Sequence, residues 1–300
     1  SGRFFDLNRS EDTTTPARWE MSELTDETAK NSLRRALQVY TKIEKEFKAF
    51  RQMDSVYFNG AFASQQLKMI KNAEALYNKV ITQFPKSDLV PDAYLALGEI
   101  AFDAQRFSEA LDNFQAIERY PQAQVYSYGI YKAAWALYNL HRSDEATKKL
   151  VQVVKFHDPK NKRKGGYHNL RNEALRDLTL FFEETQPADK AYEFFAKIAN
   201  DDEVGFCINL LAKLYNSHSR LKEMALFLEN FAKQQSKSVY LVKNEILMIE
   251  AYDLNKQRAE SLTHLKKAAE LCQTTSTWRK QNINTANEEC DNKLAHTNME

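Results

Sequence analysis

The stretch DAYLALGEIAFDAQRFSEALDNFQAIERYP, residues 92–121, holds the pattern that decides the fold. Its apolar residues recur at helical spacing, first around Leu97 and again around Phe114, which is typical of two amphipathic helices. Gly98 and Ala110 are small, so two antiparallel helices can approach each other closely at these positions. The stretch therefore predicts a helical hairpin.

A small residue at the start of the second helix recurs in four successive units, at spacings of 37, 37 and 36 residues. These residues are Ala36, Ala73, Ala110 and Ala146. A fixed period of this length is typical of stacked helical hairpins. Weaker apolar patterns continue the register beyond residue 155, so we predict about seven hairpins. The predicted fold class is all-α, a right-handed superhelical solenoid.

The composition agrees with long helices joined by short connections. Only 7 Gly and 6 Pro occur in 300 residues, which disfavours β-sandwiches, β-barrels and Gly-rich nucleotide-binding folds. A net charge of +1 gives no general attraction to nucleic acid or to an anionic membrane. No stretch approaches the roughly 20 apolar residues that a membrane helix needs.

The spacing of the repeats also suggests how the chain is divided. Residues 1–28 form a polar N-terminal segment, mobile or acting as a strap, and residues 29–157 carry repeats 1 to 4. A basic loop that contains Gly spans residues 158–168 and widens the repeat spacing. Residues 169–300 then carry divergent repeats and a C-terminal capping helix.

The chain resembles the tetratricopeptide repeat (TPR) family, through a bulky start, a mid-repeat small residue, a later aromatic residue and a closing proline. The residues that carry this resemblance are Tyr94, Leu97, Gly98, Ala110, Phe114 and Pro121. The resemblance implies a TPR-like solenoid that binds other proteins and has no enzymatic activity.

Two longer stretches are similar to bacterial envelope TPR proteins. Residues 83–121 resemble repeats of the outer-membrane assembly and Tol-Pal type, and residues 132–215 resemble deltaproteobacterial gliding-motility lipoproteins. This implies a periplasmic or outer-membrane-associated scaffold in motility or envelope assembly, compatible with a membrane tether upstream of Ser1. Three alternatives stay open, namely a cytoplasmic TPR adaptor or co-chaperone, the regulatory TPR arm of a larger enzyme, and self-association through an exposed repeat end.

The candidate site is a second stripe of bulky side chains on the first helices of repeats 2 to 4, separate from the core register. Residues at helical spacing share one face of a helix. We predict that this stripe lines a concave groove for a peptide segment or helix of a partner, because aromatic residues are enriched at interfaces. The predicted groove residues are Phe58, Phe62, Leu95, Phe102, Tyr128, Tyr131, Trp135 and Tyr138.

A competing interpretation is that neighbouring first helices pack on each other and bury part of this stripe. The sequence leaves both interpretations open. The equivalent positions of the fifth repeat make the next section of the groove mixed to acidic. They are Glu173, Arg176, Asp177, Glu183 and Glu184.

A secondary basic patch is predicted in the loop, at Lys160, Lys162, Arg163 and Lys164. It could dock an acidic or phosphate-bearing partner. The alternative is a solvated loop in which charge only maintains solubility.

Sequence motifs for catalysis are missing. There is no G-x-G-x-x-G, Walker A, G-x-S-x-G or H-E-x-x-H pattern. We therefore predict no catalytic residues, no metal, no cofactor, no direct small-molecule substrate and no nucleic-acid partner.

Three cysteines rule out a disulfide scaffold. Cys272 and Cys290 are 18 positions apart. If a continuous helix follows a turn at residues 274–277, Cys290 lies roughly 15–20 Å along that helix. We therefore expect no disulfide between them, and the cysteines leave the compartment undecided.

Overall fold

The computed structural model describes residues 27–161 and 169–294, in two compact units. The first unit comprises residues 27–129, and the second comprises residues 130–161 and 169–294. The first unit contains the helices α1 (Glu27–Glu46), α2 (Met53–Gln66), α3 (Ile70–Gln83), α4 (Val90–Asp103) and α5 (Phe107–Ala116).

The helix α6 (Tyr126–Asn139) begins in the first unit and ends in the second. The second unit continues with α7 (Ser143–Phe156), α8 (Arg171–Thr185), α9 (Ala191–Ala196), α10 (Asp201–Ser217), α11 (Leu221–Gln234), α12 (Tyr240–Leu254) and α13 (Arg258–Cys272). Its last elements are α14 (Thr277–Gln281), α15 (Ile283–Ala286) and a π-helix (Asn287–Leu294).

The part of the chain that the structure describes is helical, and its helices pair in sequence from α2–α3 to α12–α13. The prediction of an all-α fold built from sequential helical hairpins is confirmed. Of the first predicted pair, the described residues contain one helix, α1. The superhelical handedness and the boundary at residues 158–168 stay predictions, and residues 1–26 and 162–168 lie outside the described residues.

Small residues in the hairpins permit the close helix packing that the sequence predicts. Ala73 and Ala110 are completely buried. A Cβ atom on Gly98 would clash with the ring of Phe114, which is also completely buried. The aromatic ring of one helix therefore occupies the space that glycine leaves on its partner.

The turn between the two helices of a pair contains a non-glycine residue in the left-handed conformation, with φ between 57° and 59°. These residues are Lys68, Gln105, His141, Ser219 and Lys256. At one such turn, the amide of Gln105 donates to the carbonyl of Phe102 (2.9 Å) and the amide of Arg106 donates to that of Ala101 (2.8 Å). This Schellman-type geometry satisfies carbonyls at the end of the first helix. It recurs without glycine, which explains how so many turns form in a chain so poor in that residue.

The fifth pair, α8–α9, departs from this pattern. Gln186 follows α8 in an extended conformation (φ −132°, ψ 146°), and Pro187 follows it. Proline fixes φ near −65° and therefore cannot take the left-handed turn. The second helix of the pair, α9, has 6 residues and follows a 3-10 turn at Ala188–Lys190, whereas α7 and α11 each have 14 residues.

A buried ion pair links several helices of the second unit. Arg171 is only 4% exposed and forms two hydrogen bonds with Glu203, at 2.5 and 2.7 Å. Its remaining donors reach the carbonyls of Val154 (2.6 Å) and Ile198 (3.1 Å). Glu203 also completes a capping box with Asn200 at the start of α10. The guanidinium thus ties α7, α8 and the start of α10 together.

The expectation about Cys272 and Cys290 is wrong, because the two residues form a disulfide with a Cα–Cα distance of 5.6 Å. The continuous helix assumed for this segment is interrupted at Asn282 (φ −120°, ψ 44°), between α14 and α15. The chain changes direction there and returns Cys290 to the end of α13. Trp278, 3% exposed, anchors this C-terminal segment by donating to the carbonyl of Ser238 (2.7 Å).

Candidate functional site

The aromatic stripe of α6 meets the acidic stripe of α8 within the second unit. The Tyr131 hydroxyl donates to Oδ2 of Asp177 at 2.6 Å, and the indole Nε1 of Trp135 donates to the same oxygen at 3.0 Å. Tyr131, Trp135 and Asp177 are all half-buried. We name these three residues the aromatic–acid cluster.

A second contact of the same kind lies about two helical turns beyond that of Tyr131 with Asp177. The ring of Tyr138 stacks on that of Phe181, with centroids 4.4 Å apart and planes 3° from parallel. Its hydroxyl donates to Oε1 of Glu184 at 2.5 Å. Trp135 meets the same Phe181 ring edge-on, at 5.4 Å between centroids. Phe181 is completely buried and forms the floor of this surface.

The surroundings of Asp177 raise the pKa of its carboxyl group. Burial raises the pKa of Asp177 from 3.8 to about 6, although the hydrogen bonds from Tyr131 and Trp135 oppose this shift. Burial and the nearby Asp177 charge also raise the pKa of Tyr131, so its hydroxyl remains a donor. Glu173, one helical turn before Asp177, has a buried Oε2 atom with no hydrogen-bond partner among the described residues.

In the first unit, the predicted groove residues have varied surroundings. Phe58 packs against the ring of Tyr77 (5.5 Å), Phe62 is 48% exposed, and Leu95 is half-buried. Phe102 contacts Phe107 edge-on at 5.2 Å. The Tyr128 hydroxyl donates to Glu99 at 3.3 Å.

The two interpretations of the stripe are therefore both represented in the geometry. The polar ends of the α6 aromatics bind carboxylates of α8, while their rings stay partly exposed. The sequence predicts an acidic section at Asp177 and Glu184 but does not pair these residues with the aromatics. Their placement at equivalent positions of adjacent first helices was the available signal. The partner-binding groove itself stays a prediction.

The described part of the basic loop contains only the first member of the predicted patch. Lys160 is exposed, and its amide donates to Oδ1 of Asp158 at 2.8 Å. The other predicted members, Lys162, Arg163 and Lys164, lie outside the described residues. The docking role of this patch stays a prediction.

The described ranges contain neither a cluster of metal-binding side chains nor a membrane-spanning helix. Across residues 27–161 and 169–294, no three His, Cys, Asp or Glu side chains are placed so that they could hold a metal ion. Over the same part of the chain, none of the helices combines the length and apolar character needed to cross a bilayer.

Comparison with known proteins gives weak structural likenesses. No protein-family model matches the chain, and no curated protein matches it. Among solved structures, the chain is similar to BtubC (BKLC) from P. vanneervenii, with 14% identity, a TM-score of 0.36, and coverage of 81% of this chain and 89% of that one. It is also similar to pilF of Pseudomonas aeruginosa, with 13% identity, a TM-score of 0.38, and coverage of 84% and 99%. Likenesses this weak carry no inference about function.

Proposed function

We propose that this chain is a non-enzymatic protein–protein interaction scaffold that binds a segment of a partner on its aromatic surfaces. The observation that supports this most is the row of half-exposed rings formed by Tyr131, Trp135 and Tyr138 above the buried ring of Phe181. Aromatic rings that are already held in place lose little conformational entropy when a partner binds, so they supply contact area at low cost.

The acidic side chains beside these rings suggest the chemistry of the partner segment. Asp177, Glu173 and Glu184 lie on α8 next to the aromatics, with Arg176 as the nearby cation of the same helix. A cationic side chain gains from both a carboxylate and the face of an aromatic ring. The proposed ligand is therefore a peptide segment or helix that carries Lys or Arg together with apolar residues.

We place the scaffold in an extracytoplasmic complex of the bacterial envelope, in the periplasm or at the outer membrane, with motility or envelope assembly as its setting. The disulfide between Cys272 and Cys290 supports this placement, because disulfides persist in oxidising compartments. A cytoplasmic adaptor or the regulatory arm of a larger enzyme is the alternative.

Affinity capture with matched variants tests the proposed surface. The purified chain should retain a defined envelope partner, and Tyr131→Ala with Trp135→Ala should abolish the retention. Tyr192→Ala is the control, because Tyr192 is also a half-buried aromatic residue but belongs to α9. Unchanged capture by the double variant, with its helical circular dichroism intact, would refute the surface.

Thiol trapping in the native cells tests the proposed compartment. The cells are lysed directly into denaturant that contains an alkylating reagent, so that the buried Cys207 is accessible. The reagent should then label only Cys207, because the other two cysteines are joined. Alkylation of all three cysteines would contradict an oxidising compartment.

A further inference from the structure

An open groove that shares no residue with the aromatic–acid cluster lies on the second unit, where the fifth helix pair departs from the repeat pattern. It encloses about 490 Å³ between one face of α7 and the short segment that replaces a full second helix in the α8–α9 pair. Gln186 and Phe194 line the α8–α9 side of this groove. Both are half-buried, so this side is open to solvent as well as to a ligand.

The α7 side presents a continuous strip of side chains. Its lining residues run from Asp144 to Lys155, a length of about 16 Å along the helix axis. The residues Lys148, Val151 and Lys155 follow each other along this face. An apolar residue thus lies between two lysines that are about 10 Å apart along the axis. We name this strip, together with Gln186 and Phe194, the α7 groove.

A buried hydroxyl in the α7 groove lacks a hydrogen-bond partner. Thr147 lines the groove, is only 7% exposed, and its Oγ1 atom bonds to nothing among the described residues. Leaving a buried polar atom unsatisfied costs free energy. The native sequence nevertheless retains a hydroxyl here, which is explained if a ligand supplies the missing bond.

The charges in the groove favour an acidic ligand. Lys148 and Lys155 are exposed, and neither forms a salt bridge within the part of the chain that the structure describes. Glu145, on the same helix, is held instead by Arg142 through two hydrogen bonds of 2.7 Å. Asp144 is the acidic residue of the groove lining and lies in the first turn of α7.

We infer that the α7 groove binds an extended acidic segment of a partner protein with the pattern acidic–x–apolar–x–acidic. In an extended chain, alternate side chains share one face, and positions one and five are about 13 Å apart. The central apolar side chain then contacts Val151 and Phe194, and the two carboxylates lie within reach of Lys148 and Lys155. The Thr147 hydroxyl bonds to the peptide backbone.

A binding titration with a defined probe tests this inference. The probe is the fluorescein-labelled, terminally blocked peptide Gly-Glu-Ser-Leu-Ser-Glu-Gly, and fluorescence anisotropy measures its affinity for the complete chain. We expect saturable binding that weakens as the salt concentration rises, because exposed charge pairs are screened. Absence of saturable binding at protein concentrations up to about 1 mM, where a Kd of that size corresponds to about −4 kcal/mol, would overturn the inference.

Charge-reversal variants make the titration specific to the groove. The double variant K148E/K155E should bind the probe at least fivefold more weakly than wild type does. It should bind the charge-reversed peptide Gly-Lys-Ser-Leu-Ser-Lys-Gly at least as well as wild type binds the probe. K222E is the matched control, because Lys222 is an exposed lysine on α11, and its affinity should stay within twofold of wild type. An equal loss with K222E, or no loss with the double variant, would overturn the inference.

The Thr147 hydroxyl provides a second readout. T147V keeps the shape of the side chain but removes the hydroxyl, so affinity for the probe should fall two- to fivefold while the thermal midpoint of the free protein stays equal or rises. Unchanged affinity with a lowered thermal midpoint would assign the hydroxyl a structural role and overturn its part in binding.

Light scattering tests whether a second copy of this chain, rather than a partner segment, occupies the α7 groove. A dimer of the wild-type chain that dissociates in K148E with K155E would make a second copy the ligand and overturn the partner segment. These outcomes are independent of the proposed aromatic surface, because its affinity capture uses variants of Tyr131 and Trp135 and can fail or succeed separately.

Discussion

The α4–α5 pair of the first unit and the α8–α9 pair of the second differ in the turn that joins their two helices. In α4–α5, the left-handed turn at Gln105 starts a second helix at once, and Phe114 fills the space above Gly98. In α8–α9, extended residues at Gln186 and Pro187 delay and shorten the second helix. Where the turn is regular, the second helix packs fully against the first. Where it is lost, as before the short helix α9, one face of α7 stays open and the Thr147 hydroxyl has no hydrogen-bond partner among the described residues.

The two pairs also use different means of cohesion. The first unit relies on apolar contacts between small and aromatic residues, as at Gly98 and Phe114. The second unit adds a buried ion pair where its second helix is short, through Arg171 and Glu203. The predictions that follow test this difference.

The largest effect is expected from removing the buried guanidinium. Arg171→Met should lower the free energy of unfolding by about 3–5 kcal/mol, because the Glu203 carboxylate, whose side chain is only 17% exposed, and the carbonyls of Val154 and Ile198 all lose their donor. Urea unfolding followed by circular dichroism measures this loss.

Arg142→Met is the matched control for that experiment. Arg142 also binds a glutamate through two hydrogen bonds, but the pair with Glu145 is exposed. Its removal should leave the free energy of unfolding almost unchanged, because solvent screens an exposed ion pair. Equal losses for the two variants would show that the buried ion pair has no special role.

Alanine substitutions test the packing of the regular pairs. Gly98→Ala should destabilise the chain by about 1–3 kcal/mol, because the added methyl clashes with Phe114. Gly60→Ala should instead be stabilising by up to about 1 kcal/mol, since its nearest neighbour, in Leu76, would be 3.4 Å away and alanine favours helix. Thermal unfolding of both variants gives the comparison, and a loss at Gly60 as large as at Gly98 would contradict it.

A pH dependence is expected from the aromatic–acid cluster. The folded-state pKa of Asp177 is about 6, above its usual 3.8, so the folded protein binds this proton more readily than the unfolded chain. The contribution of Asp177 to stability is therefore largest below about pH 4 and is lost as the pH rises through about 6.

Asp177→Asn isolates this contribution from other titrating groups. The amide oxygen still accepts hydrogen bonds but does not ionise. The stability of the variant relative to wild type should rise by about 2 kcal/mol between pH 4 and pH 7. A constant difference between the two proteins, measured by urea unfolding across this range, would contradict the raised pKa.

The smallest effect is expected at the left-handed turns. Lys68→Gly should stabilise the chain by about 1 kcal/mol, because glycine adopts positive φ without a steric penalty. Gln186→Gly should not stabilise it, since Gln186 is extended. Thermal midpoints of the two variants measure the contrast, and a gain at both positions would remove the proposed distinction between the turns.

Much of the fold could be predicted from the sequence, because helix pairing leaves a periodic signal in side-chain size. The spacing of Ala73 and Ala110 correctly located successive second helices, and both residues are buried. The left-handed turns could not be predicted, since Lys68 and Gln105 are residues that rarely adopt that conformation.

The less predictable features depend on contacts between distant positions. The disulfide was missed because a helix break at Asn282 leaves no strong signal in composition or periodicity. The acidic section around Asp177 was visible in the sequence, but its hydrogen bonds with Tyr131 and Trp135 join residues 46 and 42 positions apart. A single sequence gives no direct information about such pairs.

Site-specific photo-crosslinking in the native cells tests the proposed scaffold role most directly. A benzoylphenylalanine residue would replace Trp135 in one variant and Tyr192 in another, each in the complete chain. We predict a discrete crosslinked protein partner at position 135 that is absent at position 192. Crosslinks of equal yield at both positions, or none at position 135 in a folded variant, would contradict the account.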